Sequence, residues 1–323
     1  MRRLLRTLCP GRGGAKPAPP LRRRLPAFTA CREGAGSLVA RCRCPVYLLY
    51  AECRQAARSK PPVSYVLVGR VAIVSLDERI EGREREIGEE LLRTVPGIEA
   101  VYAKKATVGS HRVQELVHIA GRRLRETVYV ENGLRIPVPL GRVYVNPRLA
   151  AEHERIARAV EPGERVLDMF SGIGGFALNI SRHGRAEVVV ANDVNPHAVD
   201  ALTRAIALNK SRLRTPILVL NEDASRLPRL LRPVFTRIIM NLPHASIDYI
   251  ETALSLCSGE GCTLHVYTLA RRAEDAASSI LERHPSLRVT RVLRVLDYAP
   301  GKYIFRVDVQ HHVENEAAAK TRG

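Results

Sequence analysis

The chain of 323 residues has no tryptophan, five phenylalanines and three methionines, and aromatic residues make up only 5% of it. It also has no apolar run near the ~18–20 residues that a membrane-spanning helix needs. Apolar runs such as Ile238 to Leu242 have the length of strands and predict buried sheet. These absences exclude a helical integral membrane protein and predict a soluble protein with no membrane partner. The length allows two domains, since single cores rarely grow past ~250–300 residues.

Cysteine is scarce and unevenly placed. Five of the seven cysteines lie in the first 62 residues, and the other two are Cys257 and Cys262. An odd number in a chain without a secretory pattern does not predict a disulfide framework, so Cys257 and Cys262 are expected to be thiols. A zinc site needs ligand pairs of the form C-x-x-C, and Cys42-Arg43-Cys44 has the wrong spacing. The sequence therefore predicts no metal site.

Acidic residues are few at the N-terminus. Residues 1–62 contain 14 Lys and Arg, two acidic residues and eight prolines, in a chain whose net charge is +18. This composition predicts a basic, disordered segment over 1–62, and a frayed tail is expected at 313–323. Excess positive charge favours a polyanionic partner, because neutralised phosphates release counterions. A transit peptide, or a start codon assigned too far upstream, remains an alternative for the Arg-rich start.

Two structural units are predicted after this segment. Strands on both sides of Gly69, a helix over 79–94 and further strands up to residue 139 predict a small α+β domain over 63–149 that contacts RNA or substrate. Asn132-Gly133 is typical of a tight hairpin turn. Strands and helices then alternate over 150–312, which predicts an α/β domain with a doubly wound, Rossmann-like sheet of parallel strands.

The loops after three predicted strands indicate an adenosine-containing cofactor. The first strand ends at Asp168 and opens into a turn with Gly172 and Gly174, where the backbone can approach a ligand closely. Asp193 follows the second strand, placed to bind ribose hydroxyls, and Glu222-Asp223 follows the third, where a carboxylate can meet an adenine amino group. Acids at strand ends also cap helices, which is the alternative for each of them. A nicotinamide cofactor is disfavoured, because the glycines are not spaced as G-x-G-x-x-G.

Asn241-Leu242-Pro243 follows the fourth strand, beside the point where the strand order of a doubly wound sheet reverses. In many base-modifying methyltransferases an Asn-Pro-Pro-Tyr element occupies this place and binds a planar amine. The tripeptide therefore favours a nucleobase as the substrate.

In these motifs the chain resembles the tRNA (guanine(37)-N1)-methyltransferase family of archaea and eukaryotes. The matching stretches are Val143 to Glu152, Asp168 to Gly174, Ala191 to Pro196, Met240 to Pro243 and Asp297 to Pro300. The resemblance implies a class I methyltransferase that transfers a methyl group from S-adenosyl-L-methionine to N1 of guanine 37, just 3′ of the anticodon. Together with the loops above, it assigns cofactor contacts to Asp168, Phe170, Gly172, Gly174, Asp193, Val194, Asp223 and Asn241.

The resemblance also assigns residues to the target base. Tyr144 and Glu152 match a linker Tyr and Glu that flank the base in the family, and Arg112 matches an Arg that touches it. N1 of guanine carries a proton, so Glu152 would act as general base, and Arg112 would stabilise the charge that develops toward O6. Asn241 and Pro243 would hold the guanine. The alternatives are a surface charge at a helix start for Glu152 and a strand-edge cation for Arg112.

Other functions remain open at this point. A related enzyme with dual specificity also methylates a wyosine precursor at the same tRNA position, and another relative transfers an aminocarboxypropyl group to that tricyclic base. The Asn-Leu-Pro tripeptide favours methyl transfer over the latter. A noncatalytic RNA-binding protein that kept the fold is the alternative from a different class.

The implied partner is tRNA, bound at its anticodon stem-loop. Residues 1–62 do not resemble the compact domain that reads the tRNA elbow in relatives, so the basic segment is a candidate to contact the elbow through phosphates instead. The resemblance implies a monomer, and a cytoplasmic location is the default prediction.

Overall fold

The computed structural model of the protein describes residues 63–75, 82–108 and 113–311. The predicted segments 1–62 and 313–323 lie outside these ranges, as does Arg112.

A small sheet forms the first unit. Its elements are β1 (Tyr65–Val68), β2 (Val71–Ser75), α1 (Glu84–Thr94), β3 (Ala100–Val108) and β4 (Val113–Gly121). The strand order is β1-β2-β3-β4, with a parallel β2–β3 pair and antiparallel pairs on each side. Helix α1 leads from β2 to β3 and buries Ile87 and Leu91 against Val74 and Val101. These apolar residues lie three to four positions apart on α1, which is why one helix face packs on the sheet.

A hairpin joins this unit to the rest of the chain. It consists of β5 (Glu126–Glu131) and β6 (Leu134–Pro139), joined at Asn132-Gly133. Both turn residues have positive φ angles, 48° and 78°, as a tight Asn-Gly turn requires. Leu134 and Ile136 are buried in the same core as α4 of the larger unit. The sequence places this hairpin in the small domain, whereas its apolar face packs on the α/β unit.

The larger unit contains a seven-stranded sheet covered by helices. Its strands are β7 (Arg165–Asp168), β8 (Val188–Asn192), β9 (Ile217–Leu220), β10 (Arg237–Met240), β11 (Cys262–Ala270), β12 (Arg288–Ala299) and β13 (Lys302–His311). Its helices are α2 (Ala150–Ala159), α3 (Gly175–His183), α4 (Pro196–Leu208), α5 (Leu227–Leu230), α6 (Ile250–Leu254) and α7 (Ala273–Leu281).

The strand order β12-β13-β11-β10-β7-β8-β9 confirms the predicted doubly wound α/β fold. The chain runs outward from β7 to β9 and then returns to β10 on the other side of β7, so the sheet reverses direction between β7 and β10. Ligands of such sheets bind at the carboxyl ends of the strands at this reversal. The expectation of an all-parallel sheet is wrong at one edge, because β13 runs antiparallel to both of its neighbours.

Two local predictions also need correction. The predicted helix over 246–255 divides into a 3-10 turn (Ser246–Tyr249) and the short helix α6. Cys257 and Cys262, expected to be thiols, are joined in a disulfide bond. Their five-residue separation spans the turn before β11, and both side chains are buried there.

No helix in the described part of the chain is long and apolar enough to cross a membrane.

Candidate active site

A cavity of about 300 Å³ lies at the carboxyl ends of the central strands, where the sheet reverses. Its wall includes most of the residues that the sequence singled out: Tyr144, Phe170, Gly172, Asp193, Val194, Asp223, Asn241 and Pro243. Three other predicted site residues, Asp168, Gly174 and Glu152, are described but are not part of this wall. Arg112 lies outside the described residues, so its predicted contact with the base stays a prediction.

The glycine-rich turn between β7 and α3 forms one side of the cavity. Gly172 has a φ of +53°, and its N–H donates to Asp193 Oδ2 at 2.7 Å. Gly174, with a φ of +91°, has no room for a side chain, because a Cβ there would lie 2.2 Å from Leu202 Cδ1. Gly172 therefore borders the ligand space, and Gly174 allows the turn to pack against α4.

Asp193 joins two loops of the site. Its Oδ2 accepts from Gly172, and its Oδ1 accepts from the N–H of Asn195 at 2.9 Å. Asp223 behaves similarly, because its Oδ1 accepts from both the N–H and the hydroxyl of Ser225. The capping role left open by the sequence is thus present for Asp223, whereas the helix after Asp193 is capped by Asn195. A carboxylate has about four acceptor positions, so capping does not exhaust its capacity to bind ligand hydroxyls or amines.

Asp168 lies behind the wall, fully buried at the end of β7. Neither of its carboxylate oxygens has a hydrogen-bond partner among the described residues. Burial, together with the nearby Asp193 carboxylate, raises the pKa of Asp168 to about 8. The backbone N–H groups of Ala177 and Phe170 lower the pKa, but burial outweighs them, so the site favours the protonated form of Asp168.

Two polar residues that the sequence did not single out hold the loops in place. The buried side chain of Asn192 donates to the carbonyls of Met169 and Glu222, and its oxygen accepts from the Glu222 N–H. It therefore connects the loops after β7, β8 and β9. Ser246 donates to Met240 O at 2.6 Å and accepts from Leu242 N at 3.0 Å, which fixes the Asn-Leu-Pro turn. Asn192 acts through backbone 23 and 30 residues away, which a motif does not reveal, whereas the contacts of Ser246 are local.

A buried Glu–His pair on the cavity wall was also missed. Glu131 Oε1, at the end of β5, lies 2.7 Å from His153 Nδ1 on α2 and accepts from Asn179 Nδ2 at 2.9 Å. Tyr129 donates to the other oxygen at 3.3 Å. The His153 ring also packs edge-on against Phe176, with 4.5 Å between the ring centroids. The Asn132-Gly133 turn signals the hairpin but does not predict that β5 delivers a carboxylate to the site.

Glu152, the predicted general base, is not part of the cavity wall and is only 2% exposed. Its Oε1 accepts from the Tyr267 hydroxyl at 2.8 Å and from Arg306 Nη1 at 2.5 Å, and its Oε2 pairs with Arg155. Arg306 also donates to Asp308, 3.1 Å away. Glu152 is therefore neither a surface charge nor, in this conformation, within reach of a ligand in the cavity.

Tyr144 and Asn241 both line this cavity. Tyr144 is 37% exposed, and Asn146 Nδ2 donates to its hydroxyl at 3.4 Å. The described residues contain no cluster of His, Cys, Asp and Glu side chains that could hold a metal ion. The chemistry available at the site is thus that of carboxylates, amides and aromatic rings around a cleft of nucleoside size.

The sequence profile of the TRM5/TYW2 methyltransferase domain matches residues 127–293. The chain belongs to the TRM5/TYW2 methyltransferase family. A profile of the TYW2 N-terminal domain also matches residues 47–124, so this match begins inside the segment predicted to be disordered. The TRM5/TYW2 match begins within the hairpin, in agreement with the packing of the hairpin on the larger unit.

Similar proteins in this family include enzymes named for two different bases. The tRNA (guanine(37)-N(1))-methyltransferase Trm5b of Pyrococcus abyssi is 35% identical over 265 residues, which covers 79% of this chain and 76% of that protein. The tRNA 4-demethylwyosine(37)-methyltransferase Taw21 of Saccharolobus solfataricus is 29% identical over 248 residues, covering 76% of this chain and 92% of that protein.

The fold is also similar to that of solved structures. The complex of aTrm5 with tRNALeu aligns with a TM-score of 0.67 and 31% identity, covering 82% of this chain and 76% of that chain. The TRM5/TYW2 family, its fold and the position of the cavity therefore agree with the resemblance seen in the sequence motifs.

Proposed function

We propose that this TRM5/TYW2 family member is a tRNA methyltransferase that transfers a methyl group from S-adenosyl-L-methionine to N1 of guanine 37. The observation that carries the proposal is the cavity at the sheet reversal, with Asp193 and Asp223 on its wall and Asn241-Leu242-Pro243 at its mouth. The identity of 35% to Trm5b of P. abyssi supports guanine as the base.

The residues on the wall fit the proposed cofactor. Gly172 lets the backbone approach a ligand, Asp193 and Asp223 offer acceptors for hydroxyl and amino groups, and Phe170 and Val194 supply apolar surface. The bound cofactor supplies an electrophilic methyl group, so the protein itself has to orient the base and accept a proton. The unpartnered Asp168 carboxyl behind the wall is a further group that a cationic ligand would stabilise in its ionised form.

In the proposed reaction, Asn241 and Pro243 orient the guanine and Tyr144 flanks it. Arg112 stabilises charge on O6. Glu152 accepts the N1 proton, for which its side chain must turn from Arg306 toward the cavity, since a base acts within hydrogen-bond reach. When the Glu152 side chain rotates away, Arg306 keeps its hydrogen bond to Asp308. The rotation therefore does not leave a buried cation without a partner.

The test is methyl transfer from labelled S-adenosyl-L-methionine to unmodified tRNA transcripts with guanine or adenine at position 37. We expect label only on the guanine transcript, and we expect Glu152→Gln to lower kcat by about 10²-fold or more. The matched control is Glu154→Gln, on the same helix and paired with His183 and Arg158 outside the cavity, which should keep kcat near wild type. Equal labelling of both transcripts, or full activity of Glu152→Gln, would contradict the proposal.

A second candidate is a dual-specificity enzyme that also methylates the wyosine precursor. The similarity to Taw21 and the match to the TYW2 N-terminal domain support this dual specificity. Offering tRNA that carries the tricyclic base, followed by nucleoside analysis, separates the two functions. An aminocarboxypropyl product would also be seen there, although the Asn241-Leu242-Pro243 tripeptide favours methyl transfer.

The monomeric state, the contact of residues 1–62 with the tRNA elbow and the cytoplasmic location stay predictions. Sedimentation of the purified chain with and without tRNA tests the monomeric state. Without tRNA we expect a single species of 35.8 kDa.

A further inference from the structure

Two aromatic side chains meet at the mouth of the cavity from separate parts of the chain. His244 directly follows Pro243 after β10, and Tyr298 lies near the end of β12. Both are on the cavity wall, and their ring centroids are 5.3 Å apart with an angle of 72° between the planes. This is an edge-to-face pair, which holds the Tyr298 ring in one orientation.

Packing in the core does not explain the position of the Tyr298 ring. The residue is 46% exposed, and His244 is exposed beside it. A large aromatic ring left in water at the rim of a cavity is more typical of a binding surface than of a structural contact. The hydrophobic effect alone would have buried this ring in the core.

The backbone around Tyr298 directs the side chain to this place. The pairing of β12 with β13 shifts register at three places, and the last shift falls between Asp297 and Ala299, so Tyr298 lies in a bulge. Bulges change the direction of a side chain and are frequent beside active sites. Asp297 is tied down on both sides, because its carboxylate pairs with Arg294 and its carbonyl accepts from Arg148 Nη1 at 3.4 Å.

Arg148 belongs to the segment that also carries Tyr144, so the end of β12 is attached to the segment that supplies Tyr144 to the cavity wall. Tyr144, Pro243 and Tyr298 line the cavity together with Asn241, and the exposed rings of Tyr144 and Tyr298 lie where it opens to solvent. A base that reaches this opening has left its stack in the tRNA loop, and exposed aromatic rings commonly replace the lost stacking.

We propose that Tyr298 stacks on the target guanine when it enters the cavity, and that His244 is a positioning residue that holds the Tyr298 ring. The inference rests on the proposed function, since it assumes a purine of tRNA as substrate. The proposed stacking gives the base a contact that does not depend on hydrogen bonds. It should therefore strengthen the binding of any flat base at this position.

The test uses Tyr298→Leu, Tyr298→Phe and His244→Ala. Loss of stacking in Tyr298→Leu should lower kcat/KM for the guanine-37 transcript by about 10-fold or more, and Tyr298→Phe should stay within about twofold of wild type. His244→Ala should fall between them. Affinity for S-adenosylhomocysteine, measured by calorimetry, should be unchanged in all three, which also shows that the variants fold.

A second readout follows the base itself. With 2-aminopurine at position 37, the complexes with the wild type and with Tyr298→Phe should be dimmer than the complex with Tyr298→Leu, because stacking on the ring quenches the base after it has left the stack of the tRNA loop. Equal quenching by Tyr298→Leu, or a loss of cofactor affinity in that variant, would overturn the inference. If the wild type does not methylate the guanine transcript at all, the proposed function fails instead, so the two failures are distinct.

Discussion

At the scale of single residues, burial strongly perturbs the pKa of the Asp168 carboxyl. Its pKa is about 8 in the folded protein against an ordinary value of 3.8, and burial is the main cause. At a pH between these two pKa values, Asp168 keeps its proton in the folded protein, whereas it has released the proton in the unfolded chain. The free energy of unfolding must therefore fall as the pH rises through this window. Asp168→Asn removes this titration while keeping the shape of the side chain.

We expect urea unfolding of Asp168→Asn, measured between pH 5 and pH 8, to show a smaller loss of stability with rising pH than the wild type. Comparing the two proteins cancels the contributions of other groups, such as His265, whose pKa burial lowers. Asp200→Asn, on an exposed face of α4, is the matched control and should follow the wild type. Parallel curves for Asp168→Asn and wild type would show that Asp168 does not bind this proton.

At the scale of elements, the start of α3 packs closely on α2. A Cβ on Gly175 would lie 2.2 Å from His153 Cε1, and the His153 ring cannot move away easily, because Glu131 and Phe176 hold it. Gly175→Ala should therefore cost about 1–3 kcal/mol in the free energy of unfolding. Urea denaturation measures this loss. Gly259→Ala is the control, since nothing lies within 4 Å of its Cβ position.

The same contact predicts coupling between the two helices. Removing the ring in the double variant Gly175→Ala/His153→Ala should relieve the clash, so the combined loss should be smaller than the sum of the single losses by about 1 kcal/mol. Strict additivity would mean that the alanine is accommodated without contact with His153.

At the scale of the whole molecule, positive charge is concentrated before the matched domains. Residues 1–46 contain 11 Lys and Arg and one acidic residue. Deleting them should reduce the steepness with which tRNA affinity falls as salt rises, because fewer phosphates are neutralised. A segment of equal length with the basic residues replaced by glutamine is the matched control and should behave like the deletion. An unchanged salt dependence in a binding titration would show that the segment makes no phosphate contacts.

Local sequence patterns predicted most of the elements of the larger unit. Strands such as β7 and β8 are short apolar runs, and the loops that follow them carry the acids and glycines, so their order along the chain places them at one edge of a parallel sheet. The antiparallel direction of β13 was missed, although the connection between β12 and β13, Pro300-Gly301, is far too short for the crossover that a parallel pair needs.

For the candidate site, motifs predicted the wall residues that lie on those loops. Asp193 and Asn241 are examples, because each directly follows a central strand at the edge where the sheet reverses. Glu131 and His153 were missed, since their meeting depends on how the hairpin packs on α2 and α3. The orientation of Glu152 was likewise unpredictable, because its partners are 115 and 154 residues away in sequence.

The sequence by itself determined the fold class, the family and the loops that form the cavity, because hydrophobic periodicity and strand-end chemistry are local properties of the chain. Only the tertiary structure decided which carboxylates face the cavity and which are buried in ion pairs. That choice depends on contacts between distant elements, since a buried charge is placed wherever packing brings a partner to it. It is the reason that Glu131 lies on the wall and Glu152, in this conformation, lies behind it.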